Sequence, residues 1–302
     1  MEQSMKFLGW LLVTSLVVAV LVFLPHILPG SALTLHGWDY ERGVSSNGLD
    51  TWGNVSAYCM GSSQSPVDLD ALEASHDHHH HQLMFKNYEE VAKENIAIEN
   101  NGHAVELKLT SAPIGAAMMF GGPLVNSHQL LQLHFHWGKW NGRGSEHTIN
   151  GERFPMEMHL VHQASSLEWG VESATSPVNI PDGLAVAAFL WKISETDNED
   201  LNPIIEMLGR IKKAGSQTEL ESNLKISSLI SPAMGPYFSY HGSLTTPGCN
   251  EVVHWIVFRT PLSISKRQLR QFRKVFNSKG SNLVDNFRPT QPLNNRTVTL
   301  YA

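Results

Sequence analysis

The segment LQLHFHWG, residues 131–138, places two histidines two positions apart in an apolar run that meets no proline or glycine until Gly138. Side chains alternate between the faces of a strand, so His134 and His136 point the same way, with Gln132 beside them. EMHLVH, residues 157–162, repeats the pattern and puts Glu157, His159 and Val161 on one face. If the two strands are neighbours, three imidazoles meet at a tetrahedral metal with one position vacant, the ligand count of a catalytic zinc centre; structural sites fill the fourth position. Gln132 and Glu157 each precede a histidine by two positions on the same face, where they can bond the outer ring nitrogens. Packing alone does not call for that phasing. The two stretches demand paired strands and predict a metal centre of His134, His136 and His159.

The remaining chain is consistent with a sheet. Short apolar runs separated by glycine and proline turns predict further strands at 103–110, 184–193 and 251–259, with the two histidine strands at 130–138 and 154–163. Helical spacing is scarcer. Ile204, Ile205, Leu208 and Ile211 predict a helix over 202–213, and Ser265 is placed to cap a helix that turns Leu269, Phe272, Val275 and Phe276 inward. Lys266, Arg267, Arg270, Arg273 and Lys274 on its outer side read as a solvated face, because no aromatic residues interleave with them. The 302 residues carry a net charge of −6, which gives no electrostatic reason to expect nucleic acid or an anionic membrane surface as partner. No repeat or long linker divides the chain, so residues 33–302 read as one domain.

Residues 7–24 are uncharged and apolar, follow Lys6, and lead to Gly30 and Ala32, small residues suited to signal-peptidase cleavage. Residues 1–32 are expected to be a signal peptide; an uncleaved anchor is the alternative, and either leaves the domain outside the cytosol, secreted or extracellular. No second apolar run of that length follows, and NNRTVTLYA at the C-terminus lacks the hydrophobic tail of a lipid-anchor signal, so the cleaved domain is expected to have no membrane insertion. In an oxidising compartment Cys59 and Cys249 are expected to pair, and Asn54 and Asn295 head glycosylation sequons. The tract SHDHHHHQ, residues 75–82, reads as an exposed polar loop, since consecutive histidines do not converge on one ion without backbone contortion; loose binding of a transition metal is the alternative.

In order along the chain, SQSPVDL (63–69), NNGHAVEL (100–107), LQLHFHWG (131–138), GSEHT (144–148), MEMHLVH (156–162), GSLTTPGC (242–249) and DNFRPTQPLNNR (285–296) resemble the motifs of the alpha-class carbonic anhydrases. The resemblance covers about residues 36–300. It implies a mainly β single domain with short helices around a twisted, mostly antiparallel ten-stranded sheet, with Zn2+ at the base of a conical cleft. The implied reaction is the reversible hydration of carbon dioxide to bicarbonate and a proton. Three neutral imidazoles leave the ion's charge largely intact, which stabilises hydroxide as the attacking nucleophile.

By match to the family motifs, Val161, Val186, Leu244 and Trp255 wall the carbon dioxide pocket. Thr245 is implied to orient the nucleophile while donating a hydrogen bond to Glu146, a direction fixed because a carboxylate only accepts. His103 matches the proton shuttle, with Tyr40 and Asn101 ordering the connecting water; His147 and His162 match structural positions. Glu106 stands where many members have a neutral amide, and a carboxylate there is expected to raise the pKa of His103. Two rivals fit less well. A zinc peptidase normally carries a helical HExxH, which is missing, and non-catalytic members of the family have lost zinc ligands, whereas all three are present.

Overall fold

The computed structural model describes residues 37–43, 47–77, 82–89, 96–109, 116–167 and 180–302. The expected signal segment and His78 to His81 of the histidine tract lie outside the described residues. Fourteen strands are present among those described: β1 (Asp68–Leu69), β2 (Ser75–Asp77), β3 (Leu83–Lys86), β4 (Ile96–Asn100), β5 (Val105–Leu109), β6 (Met118–Gly121) and β7 (His128–Trp137). They continue as β8 (Thr148–Ile149), β9 (Met156–Ala164), β10 (Leu184–Ser194), β11 (Ser216–Glu219), β12 (Tyr237–Gly242), β13 (Val253–Ser265) and β14 (Thr299–Tyr301). Helices are short: α1 (Trp52–Val55), α2 (Asn202–Met207), α3 (Ile226–Ile230) and α4 (Lys266–Phe272).

Twelve strands form one sheet, in which ten follow the path β11-β4-β5-β7-β9-β10-β13-β12-β14-β2 and β3 and β6 attach beside β7. The unbroken path thus has the ten strands expected, and the sheet gains two more. Pairing is antiparallel except for β10 with β13 and β14 with β2. The central strands are buried on both faces, which is why LAVAAFLW in β10 reads as a continuous apolar run. Alternation still sorts their side chains. Phe135, Met158, Leu160, Ala187, Phe189 and Ile256 enter the larger core, whereas Val161, Val186, Ala188, Trp255 and Val257 belong to a second cluster on the opposite face.

The extents of β13 and α2 differ from expectation. β13 runs past Arg259 to Ser265, because the slip in pairing between Phe189 and Trp191 absorbs Pro261, which has no N–H to offer the ladder. α2 ends at Met207, just before Gly209, yet Leu208 and Ile211 remain fully buried in the turns that follow. Ser265 caps α4 as expected: its Oγ accepts from Gln268 N at 3.0 Å, and Gln268 Oε1 accepts from Ser265 N at 3.4 Å. Lys266, Arg267, Arg270 and Lys274 are exposed and Arg273 half-buried, in keeping with a solvated face.

Cys59 and Cys249 form a disulfide across 190 residues of chain. Together with Trp52 they make a small cluster against which Trp38 and Tyr40 pack, so the bond ties the segment carrying Tyr40 to the loop carrying Thr245. Closing so long a loop contributes about 2–4 kcal/mol, chiefly by restricting the unfolded chain.

His162 of β9 is buried on the larger core's side, with Nδ1 3.2 Å from the Ala185 carbonyl and Nε2 bonded to the Tyr88 hydroxyl. Burial pushes its pKa down to about 3. The unfolded chain therefore binds a proton on this residue below pH ~6.5 that the folded chain refuses, and its stabilising contribution fades as pH falls from ~6.5 toward 3. Urea unfolding of His162→Gln is expected to show a pH dependence shallower by about one proton over that window. Parallel profiles for parent and variant would refute this account.

Candidate metal centre and its cleft

β7 and β9 lie side by side with His134 opposite His159 and His136 opposite Glu157. That register, together with alternation, brings the three predicted ligands to one point. One ligand nitrogen from each of His134, His136 and His159 lies within 4.8 Å of the other two. Each ring's outer nitrogen is already bonded. His134 Nδ1 meets Gln132 Oε1 at 2.8 Å, His136 Nδ1 meets the Asn286 carbonyl at 2.8 Å, and His159 Nε2 meets Glu157 Oε1 at 2.6 Å. An N–H used outward leaves a lone pair on the inner nitrogen. His136 Nε2 is buried without a hydrogen-bond partner, and His159 Nδ1 lies 3.2 Å from His134 Nε2. Burial, reinforced by the neighbouring imidazoles, holds His134 well below its usual pKa, and burial lowers His136 despite the pull of Glu146. Both therefore stay neutral, the form that ligates metal. This donor set fits a tetrahedral zinc.

Behind the ligands, Glu157 is fully buried and accepts four hydrogen bonds. Its Oε2 takes Glu146 N and His147 N, both at 2.8 Å, and its Oε1 takes His147 Nδ1 at 2.7 Å as well as His159. Burial opposes its ionisation, but His147 and His159 prevail and hold the carboxyl well below the usual range. His147 also reaches the Tyr240 hydroxyl at 2.7 Å, in keeping with a structural place for this histidine. Gly144 is required where the chain turns toward Glu146: at φ +156° a Cβ would stand 1.9 Å from the Pro155 carbonyl.

A cavity of about 180 Å³ opens above the three histidines. Val161, Val186, Leu244 and Trp255 line it, as do Thr245, Gln132, Tyr40, Asn101 and His103, while Glu146 and Glu157 lie behind its wall. Thr245 does not donate to Glu146 as expected. Glu146 Oε1 accepts from Arg288 N at 2.8 Å, and Oε2, which has no hydrogen-bond partner, is turned to within 3.5 Å of His136 Nε2.

His103 is stacked on Trp38, with ring centroids 3.8 Å apart and planes 10° from parallel. Its pKa is lowered, not raised: burial outweighs the opposing pull of Asp39. Glu106 does not contribute to this shift as expected; that carboxylate accepts from Asn101 Nδ2 at 2.9 Å and lies 3.8 Å from Lys108 Nζ. Asn101 has a structural task of its own, since Oδ1 accepts from His103 N and Ala104 N and so shapes the turn that carries His103. The Tyr40 hydroxyl is buried without a hydrogen-bond partner.

Sequence reasoning missed Asn286 and Trp38. Besides holding His136, Asn286 donates to the His103 carbonyl at 2.9 Å and accepts from Trp137 N at 2.7 Å, coupling the metal centre to the His103 turn. Its only signal was its place in DNFRPTQPLNNR.

Residues 47–302 match the model of the eukaryotic-type carbonic anhydrase family, and the chain belongs to that family. It is 36% identical over 265 residues to carbonic anhydrase 1 of Mus musculus, covering 86% of this chain and 97% of the mouse protein. Against the carbonic anhydrase-related protein of Homo sapiens it is 37% identical over 250 residues, 79% of this chain and 83% of the human one. Against carbonic anhydrase 15 of Mus musculus the identity is 33% over 270 residues, 87% and 82% of the two chains.

Proposed function

We propose that this protein is a zinc enzyme that reversibly hydrates carbon dioxide to bicarbonate and a proton. The observation that carries the reading is the convergence of three ring nitrogens whose outer partners are already bonded. Bound there, zinc would supply a nucleophile at neutral pH by lowering the pKa of water from about 15.7 to about 7, a magnitude known from carbonic anhydrases themselves. His134, His136 and His159 hold the ion. Val161, Val186, Leu244 and Trp255 give the small apolar substrate an apolar wall beside them. Thr245 Oγ would accept a hydrogen bond from the nucleophile, directing a lone pair at the substrate, and its own hydroxyl would donate to Glu146 Oε2, the oxygen that has no hydrogen-bond partner. Stopped-flow hydration by the purified protein tests this reading: catalysis is expected, lost on chelation and restored by zinc. A zinc-loaded, folded protein that does not hydrate carbon dioxide overturns it.

His103 receives the proton at the mouth of the cleft and releases it to buffer, with Tyr40 and Asn101 ordering the water between. Its stacking on Trp38 and link to Asn286 support this role by placing an ionisable ring on the cavity wall. His103→Ala is expected to slow turnover in weak buffer by about 100-fold, with carbon dioxide–bicarbonate interconversion at equilibrium nearly unchanged and imidazole restoring much of the loss. Undiminished turnover in weak buffer would show that protons leave by another route.

Residues 1–32 direct export and are removed, leaving a secreted domain. The Cys59–Cys249 bond and the exposure of Asn54 and Asn295 support this, and no helix among the described residues is long and apolar enough to cross a membrane. Secreted material retaining Met1 would contradict cleavage.

A further inference from the structure

We propose that Asp182, His241 and His254 form a second site for a divalent transition metal, on the opposite face of the sheet from the cleft. His254 precedes Trp255 in β13 and His241 follows Tyr240 in β12, so alternation turns both away from the face that carries the zinc ligands. The two histidines are register partners with ring centroids 4.4 Å apart. Asp182, in the turn entering β10, brings its Oδ1 to 2.8 Å from His241 Nδ1. One ligand atom from each of the three residues lies within 4.8 Å of the other two.

An exposed His–Asp pair by itself contributes little and needs no third member. What a simple ion pair leaves unexplained is the second imidazole. His254 is buried, and its Nε2 lies 2.8 Å from Ser239 Oγ, a hydroxyl able to accept the Nε2 proton in the tautomer whose Nδ1 carries a lone pair. A hydroxyl thus stands beside this ring where acceptor oxygens stand beside the rings of the first centre. Burial and the neighbouring His241 push the pKa of His254 down to about 4, so its lone pair is available at neutral pH. Asp182 adopts φ +53°, uncommon for a residue with a side chain, and its carbonyl lies 3.2 Å from His128 Nε2. Two imidazoles and one carboxylate suit zinc, copper or nickel better than calcium or magnesium, which prefer all-oxygen shells. His241 and Asp182 are exposed on one side, leaving room to widen their contact around an ion and for water to complete its coordination.

The test is zinc stoichiometry by equilibrium dialysis of the purified protein, with metal measured by mass spectrometry. It does not rest on the catalytic reading. The parent is expected to bind two equivalents, the second more weakly. His241→Ala and Asp182→Asn, at side chains 63% and 47% exposed, are each expected to bind one and to hydrate carbon dioxide at the parental rate, with native near-ultraviolet circular dichroism. A parent that binds a single equivalent overturns the proposal. So does a second equivalent that survives His241→Ala but disappears when His78, His79, His80 and His81 are replaced by alanine.

Discussion

Replacing His159 by alanine is expected to abolish tight zinc retention and carbon dioxide hydration together, with the rate falling to the uncatalysed background. Two remaining imidazoles do not close a tetrahedral set, and the substitution also deprives Glu157 Oε1 of one of its two ring partners. Metal content and stopped-flow rates on a variant with native near-ultraviolet circular dichroism check both halves. Full occupancy with parental activity would refute the ligand assignment.

The second large effect belongs to a residue that touches no ion. Glu157→Ala leaves two backbone N–H groups and two imidazole nitrogens without their shared acceptor in a fully buried setting. Breaking such a buried charged network costs about 3–5 kcal/mol, and loss of the outer partner of a ligand weakens metal binding by about 10- to 100-fold. Glu157→Gln keeps an acceptor but turns an amide donor toward either the backbone or the rings, so an intermediate loss is expected. Urea unfolding and competition with a chelator read the two effects separately. A loss below about 1 kcal/mol in the alanine variant would mean that water or a rearranged side chain satisfies the four donors.

The centre was legible because a strand has a period of two. His134, His136 and His159, with Gln132 and Glu157, all lie on one face of two adjacent strands, so alternation alone picks them out. The third outer partner was not legible: a backbone carbonyl at Asn286 carries no residue signature and lies 150 positions from His136. Stacking of Trp38 on His103 is equally silent, since neither residue's pattern specifies the approach of a distant segment. Family motifs named Thr245 and Glu146 as partners, but Arg288 N holds one carboxylate oxygen and the other faces His136, a competition invisible in the motifs. Among the strands, β1, β2, β8 and β14 have only two or three residues, too few for any periodicity, and Pro261 disguises the continuation of β13.

The central claim is that one zinc, held by His134, His136 and His159, makes this chain a carbon dioxide hydratase. Titrating zinc into chelator-treated protein while following hydration tests it most directly. The rate is expected to rise linearly and break at one equivalent, with any further equivalent adding nothing. Hydration that persists without zinc, or a fully loaded protein that stays silent, would contradict the account.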